Sequence, residues 1–507
     1  MEQRKNFGSK LGIILASAGS AVGLGNVWRF PTEVGENGGA AFILIYILCV
    51  LVLGVPLMVS EFVIGRHTHQ NTADAYRTLL DESSPSVERP RSSAKLKVES
   101  SSGAQPKATG GKKFQLSARP NGTLDPSRTF NFQLAKIYSF QGYLGVFTSW
   151  FILCYYSVVA GWTLKYLLSA IGGQVTQIDD SAAYFTQFTA DPWMPLVCMV
   201  AVMLMCHWVI VRGVQAGIER YSKLLMPLLL LIIAVLVICS FSMPGSEEGL
   251  RFLFKPDFSK ITSRVVLSAM GQAFFSLSIA MGCLCTYASY FSDDAKLVRT
   301  ASSVALIDTT VAIMSGFIIF PAVFSVAEVA PDAGPGLVFI TLPNVFQIAF
   351  GGVPLVGWLF SVMFYLLLLL AALTSMMSIH EPTTAFLLER FHLPRRTATW
   401  MVTLSCIIIG TLCSLSFGPL ADLRIFNFQF SIFNFFDFVS AKIFLPVGGI
   451  IISLFVGWRL PRQLVLDEVT NHGTVAFRLF PVYRFILRWV APLAIGLIFL
   501  HELGLFH

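Results

Sequence analysis

Apolar residues form long runs along the chain, and short polar stretches separate them. About 20 apolar residues in helical conformation are enough to cross a bilayer. Eleven such runs are present, at 11–34, 40–65, 138–171, 193–211, 222–243, 265–290, 301–325, 353–387, 398–416, 430–457 and 482–503. The pattern predicts an all-α membrane protein with about 11 transmembrane helices, numbered here as spans 1 to 11. Between spans 7 and 8, the segment EVAPDAGPGLVFITLPNVFQIAFGGVP begins too polar and too Gly/Pro-broken to cross. Its apolar second half predicts a short helix lying over the membrane face, within an external loop.

Composition agrees with this pattern. The 507 residues are 55% apolar and 13% charged, where soluble chains carry about 25% charged residues. The net charge of +7 does not point to nucleic acid, because the basic residues cluster between spans. Arg4, Lys5 and Lys10 precede span 1; Arg212, Arg220 and Lys223 follow span 4; Arg390, Arg395 and Arg396 follow span 8; Arg459 and Arg462 follow span 10. The loop after span 3 carries Asp179, Asp180 and Asp191 instead. Basic loops stay on the cytoplasmic side, so the N-terminus is expected in the cytoplasm and the C-terminal tail outside. The first apolar run is too long for a cleavable signal peptide and lacks a small-residue cleavage site. All nine cysteines fall in apolar spans, which fits free thiols better than disulfides. Cys283-x-Cys285 has no second pair, which argues against a metal site.

Residues 81–130 are rich in Ser, Pro, Lys and Gly. They cannot bury a core, and the reading is a disordered cytoplasmic insertion. A regulatory role has no support in the residues. Asn121-Gly-Thr123 matches a glycosylation sequon but falls on the cytoplasmic side.

Two spans are interrupted. Span 1 contains SAGSAVGLGNVWRFP (17–31), with Gly19, Gly23 and Gly25 inside seven residues. Each glycine weakens a helix by about 1 kcal/mol relative to alanine. A break in lipid frees backbone groups that cost several kcal/mol each if unsatisfied, so it must face a cavity or a ligand. Freed carbonyls suit a hard cation, and freed N–H groups suit an anion. Glycines alone fit close helix packing better; Asn26 and Arg29 in the same span tip the balance toward the break. Span 6 contains GQAFFSLSIAMGCLCTYASY (271–290), interrupted by Gln272, Ser276, Ser278 and Gly282. Interrupted spans opening two blocks of five are the pattern of a 5+5 inverted-repeat transporter. The halves share no clear sequence identity, so the repeat rests on position. It divides the chain into a first repeat (1–80 and 131–243), a second repeat (244–457), and a cytoplasmic loop with helix 11 (458–507). Glu61, Asp308 and the Thr374-Ser375 pair also lie deep in apolar runs. An ionisable group there is a functional candidate. Asp308 fits ion ligation or a structural hydrogen bond. The Thr374 and Ser375 hydroxyls alone fit bonding back to their own helix.

These motifs carry a specific resemblance. GSAVGLGNVWRFP, ENGGAAF (36–42), GQAFFSLS (271–278), TYASY (286–290) and ALTSM (372–376) resemble the neurotransmitter:sodium symporter family, in family order and over nearly the whole chain outside 81–130. Eleven spans rather than twelve resembles its bacterial amino-acid transporters of the leucine-transporter fold, which implies a bacterial inner (plasma) membrane. The resemblance implies two sodium sites and no organic cofactor. The first would use the Ala21 carbonyl, Asn26, Ser276, Asp308 and the substrate carboxylate. The second would use the carbonyls of Gly19, Val22 and Ala371 with the hydroxyls of Thr374 and Ser375. Both sets are all oxygen, as a hard cation requires.

The resemblance also implies a substrate site between the two breaks, involving Ala21, Gly23, Ser276 and Ser375. A carboxylate would meet the N–H groups around Leu24 and Gly25 and the Tyr156 hydroxyl. Ile152, Phe275, Ser278, Met281 and Ile379 would surround the side chain, a mostly apolar lining. Amine carriers of the family have an aspartate where this chain has Gly23. With no side-chain anion there, the substrate must bring its own carboxylate, and a hydrophobic amino acid is expected. Arg29 and Asp437 would form an outer gate. Arg4 and Glu389 would pair at the cytoplasmic side, near Tyr290. Gly217 and Pro227 match a Gly-x9-Pro pattern tied to unwinding of span 5. Chloride-dependent members have Asn at the Asp308 position and Ser four residues later; Ala312 stands there and cannot coordinate an anion. The fixed charge of Asp308 would replace chloride, with Tyr46, Gln272 and Ser276 lining a vestigial site.

The expected function is sodium-coupled amino-acid import by alternating access. An amine or GABA-like substrate is the alternative within transport. A non-transporting amino-acid sensor is the alternative outside it. No nucleotide-binding loop supports a primary pump, and no nucleophile–base pair supports an enzyme.

Overall fold

The computed structural model describes residues 6–82, 126–175, 178, 180–325, 336–350, 353–425 and 430–504. Arg4 and most of the 81–130 segment lie outside them. At the edges of that segment, helix Thr72–Glu82 and the long helix Pro126–Ile171 cover 81–82 and 126–130, so these few residues belong to helices.

The regular elements among the described residues are all helices, as the apolar runs dictate. Among the described residues, eight helices are long and apolar enough to cross a membrane: Ala40–Thr68, Ala135–Ile171, Val214–Ser240, Leu297–Phe324, Pro354–Arg390, Arg395–Leu415, Ile432–Arg459 and Phe480–Glu502. These are spans 2, 3, 5 and 7 to 11. Span 4 is Met194–Ile210, preceded at a 76° bend by the short helix Ser181–Ala190. Asp180 caps that short helix by accepting from the Ala182 and Ala183 N–H groups. Asp191 accepts from Trp193 and Met194 N–H, and these two bonds hold its carboxyl below the usual carboxylate range. Span 1 is two helices, Lys10–Ala21 and Leu24–Glu36, bent by 63°. Span 6 is likewise two, Ser263–Ser276 and Cys283–Ala288.

The first half of span 1 is almost wholly buried against spans 5, 7 and 8. Both breaks therefore lie at the centre of the bundle, where no lipid reaches the freed backbone. The segment between spans 7 and 8 forms the helices Leu337–Thr341 and Leu342–Ala349, which leave Ile348 exposed but bury Phe339, Val345 and Phe346. Phe339 is fully buried, stacked on Phe185 and edge-on to Trp28 and Trp162. Tyr166 and Tyr365 donate to the carbonyls of Phe339 and Val338. Apolar residues that looked fit for a membrane surface instead plug inward, because aromatic burial between spans 1, 3 and 8 excludes more water.

Candidate functional site

The break in span 1 falls at Val22 and Gly23, both in extended conformation (φ −70° and −138°). Any residue adopts such angles, so backbone freedom is not the reason for glycine at 23. Space is: a Cβ there would stand 2.7 Å from Ser375 Oγ and 3.3 Å from the Tyr156 hydroxyl. Gly19 and Gly25 remain inside the two helical halves, so only one of the three glycines sits at the break. Beyond it, the Leu24 N–H points to the Tyr156 hydroxyl at 3.2 Å. Tyr156 accepts this bond and keeps its own O–H as a donor at a half-helix N-terminus, where the dipole favours negative charge.

Span 6 breaks by a different route. Ser278 (φ 53°), Ala280 (φ 67°) and Gly282 (φ 73°) all occupy the left-handed region. For the two non-glycine residues this costs on the order of 1–3 kcal/mol each. Side-chain bonds offset the cost. Ser278 donates to the Ser20 carbonyl of span 1 at 2.7 Å, which ties the two breaks together. Glu61 of span 2 accepts from the Ala280 N–H at 2.7 Å and the Cys285 N–H at 3.3 Å. Glu61 looked like a functional candidate in sequence; its bonds make it the support of the unwound segment. A Cβ on Gly282 would stand 3.2 Å from the Gly145 carbonyl carbon, so a side chain has little room there.

Asp308 is fully buried in span 7 beside the span 1 break. Its Oδ1 accepts from Asn26 Nδ2 at 2.7 Å, and its Oδ2 accepts from Ser276 Oγ at 2.8 Å and Tyr46 OH at 3.3 Å. Asn26 Oδ1 takes the Gly23 N–H at 2.9 Å, leaving that oxygen a second lone pair. Ala21 ends the preceding half-helix. Buried Gln272 has no hydrogen-bond partner for either amide atom among the described residues.

On the other side of span 1, Thr374 Oγ1 donates to the Leu370 and Ala371 carbonyls at 3.1 and 3.0 Å. Ser375 Oγ donates across to the Val22 carbonyl at 3.1 Å, and a Cβ on Gly19 would stand 3.3 Å from Thr374 Cβ. The sequence-predicted members of this second group are therefore neighbours, with no formal charge among them.

A cavity of about 660 Å³ opens from the breaks toward the face opposite the N-terminus, lined by Gly25, Tyr156, Phe275, Arg29, Glu33 and Asp437 among others. Ile152, Ser278, Met281 and Ile379 are buried and do not line it. The expected gate residues share this cavity, but among the described residues no ion pair joins Arg29 to Asp437. Arg29 instead reaches Glu33 at 3.7 Å and lies over the Phe275 ring at 4.6 Å. The site is open on this side.

The N-terminal face is closed. Glu389 accepts from the Asn71 backbone and side chain at 2.7 and 2.9 Å; its expected partner Arg4 lies outside the described residues. Tyr290 donates to a different carboxylate, Glu381, at 2.9 Å. Glu381 is fully buried and paired with Arg395, which donates to both its oxygens at 3.0 and 2.5 Å. Phe7 packs edge-on against Tyr287 and Tyr290. Lys10 reaches Asp294 at 2.8 Å and holds that carboxyl below the usual carboxylate range, helped by the Ser292 hydroxyl. Nearby, Arg66 and His67 contact Glu468. Burial raises that group, but their combined pull outweighs it and holds Glu468 low. The sequence reading missed the Glu381–Arg395 pair. Its only signal was a carboxylate within the apolar run of span 8, masked by the adjacent Pro382.

Comparison with known proteins follows the same lines. The profile of the sodium:neurotransmitter symporter family matches residues 4–84 and 173–506. The unmatched stretch holds the polar insertion and span 3. The sodium-dependent transporter YhdH of Bacillus subtilis is 33% identical over 502 residues, 98% of each chain. A sodium-dependent transporter of Haemophilus influenzae is 30% identical over 99% of each chain. The crystal structure of MhsT in complex with L-phenylalanine superimposes with a TM-score of 0.79 at 36% identity, covering 99% of this chain and all of that one. The chain thus belongs to the sodium:neurotransmitter symporter family, as an all-α, multi-pass, sodium-dependent membrane symporter and not an enzyme.

Proposed function

We propose that the protein imports a hydrophobic amino acid, driven by two sodium ions and without chloride. The observation that carries the substrate class is Gly23: a Cβ there would stand 2.7 Å from Ser375 Oγ, and beside it the Leu24 N–H donates to Tyr156, which keeps its own O–H as a donor. An α-carboxylate takes the Tyr156 O–H and replaces the Tyr156 oxygen as acceptor of the Leu24 N–H. The ammonium meets carbonyls of the two breaks. Phe275, Ile152, Met281 and Ile379 receive an apolar side chain after small rearrangements, and Met281 adapts to its size. Binding of L-phenylalanine to the structural relative MhsT supports this class.

The first sodium takes Asn26, Ser276, Asp308 and the Ala21 carbonyl, with the substrate carboxylate. The second takes the carbonyls of Gly19, Val22 and Ala371 with Thr374 and Ser375. The Asp308 carboxylate supplies beside the first ion the charge that chloride supplies elsewhere. Arg29 and Asp437 close over bound substrate. On this reading the closed N-terminal face is cytoplasmic, which the loop charges support, the membrane is a bacterial inner membrane, which the likeness to bacterial relatives supports, and the two five-span blocks form the inverted repeats.

A competition panel tests the substrate class. The twenty amino acids and GABA are set against labelled L-phenylalanine, with and without sodium. Sodium-dependent displacement by apolar amino acids is expected. Displacement by GABA or amines alone would instead support the runner-up reading.

A further inference from the structure

Glu219 lies outside both ion groups and the substrate site. It ends the π-helical turn Val214–Glu219 that opens span 5 on the closed face, and its side chain is 4% exposed. Three donors surround its carboxylate. The Gly8 N–H reaches Oε2 at 2.6 Å; the Ser9 hydroxyl and the Lys223 ammonium reach Oε1 at 2.9 and 2.6 Å. Two of the three come from the start of span 1. Ser9 is its N-cap and also accepts from the Gly12 N–H at 3.0 Å. A Cβ on Gly12 would overlap the Glu219 side chain, so the first helical turn rests directly on this carboxylate. Beside it, Gln215 donates to the Asn6 carbonyl at 2.6 Å.

We propose that Glu219 is a positioning residue that latches the first turn of span 1 onto span 5. It holds the cytoplasmic side closed while the outer cavity is open. The inference rests on the alternating-access reading above. The break at Val22–Gly23 lets the first half of span 1 move as one body, and cytoplasmic opening must separate it from a packed neighbour. Separation at Glu219 removes the bonds from Gly8 and Ser9. Lys223, four residues along the same helix, stays with the carboxylate in either state. The latch therefore releases without stranding a buried charge, which would otherwise be expensive. The two bonds lost are charge-assisted and so stronger than ordinary ones.

Hydrogen–deuterium exchange on the full chain in lipid nanodiscs tests this, read over residues 10–16 at low and saturating sodium. E219Q is expected to exchange about tenfold faster there at low sodium. Saturating sodium should restore most of the protection, because an ion that binds the closed-inside state shifts the population toward it. G12A keeps the carboxylate but forces the turn off it, and should act in the same direction. Wild-type exchange rates in both variants would overturn the proposal. So would faster exchange spread equally over spans 3 and 9 and indifferent to sodium, which marks a general loss of fold. If sodium leaves wild-type exchange unchanged, the coupling reading fails instead. The latch is then judged by whether faster exchange in both variants is confined to residues 10–16.

Discussion

The two oxygen groups flanking the break in span 1 differ in one respect that matters physically: one is charged and the other is not. At Asp308 a fully buried carboxylate is held by Asn26, Ser276 and Tyr46. Around Thr374 and Ser375, every oxygen is neutral, and both hydroxyls donate to carbonyls that a cation would also use. A buried charge without a counter-ion is costly, so the Asp308 group gains much from a cation. The neutral group gains only from geometry, and must turn its hydroxyls away from the carbonyls to do so. If both groups bind sodium as proposed, the contrast predicts strong, substrate-linked binding at the first and easily reversed binding at the second.

Substitutions test that contrast, and the largest effect belongs to the charge. Asp308→Asn should weaken apparent sodium affinity about 100-fold in uptake assays or create a chloride requirement. Little change in gluconate buffer would remove the distinction between the groups. Gly23→Ala comes next. Its methyl group would crowd Ser375 and Tyr156, which join the second group and the carboxylate donors, at a cost of about 1–3 kcal/mol. Apparent substrate affinity measured by binding should drop about tenfold or more; an unchanged value would mean the space at 23 is not used. Thr374→Ala should cost about tenfold in sodium affinity with near-normal substrate specificity. An effect matching that of Asp308→Asn would mean that charge does not separate the two groups. The smallest effect is expected from Asp437→Asn. Its carboxylate shares the open cavity with Arg29 without pairing, so substrate release should speed up only about three- to tenfold in washout experiments.

Much of this contrast was legible in the sequence, since Asn26, Ser276, Asp308, Thr374 and Ser375 interrupt apolar runs where polar groups are expensive. The breaks were legible too, though not their means. Three glycines suggested a flexible span 1, yet only Gly23 sits at the break, and it is there for space. Span 6 unwinds largely through Ser278 and Ala280, two ordinary residues held in the left-handed region by bonds to Ser20 and Glu61. Those bonds join residues 258 and 219 positions apart, a separation that no local pattern reveals. The closed face was the least legible. Glu381–Arg395 and Glu219–Ser9 are pairings set by tertiary packing, whereas the family resemblance suggested Arg4 and Glu389. The inward placement of Phe339 was hidden for a related reason: an apolar stretch reads alike whether it faces lipid or protein.

The most direct test of sodium-driven amino-acid import is accumulation in proteoliposomes. Purified protein is reconstituted and loaded with potassium gluconate, and labelled L-phenylalanine is added outside with sodium gluconate. Transient accumulation above the external concentration, abolished when sodium is equal on both sides, is predicted. Binding without accumulation, or accumulation only after chloride is supplied, would contradict the account.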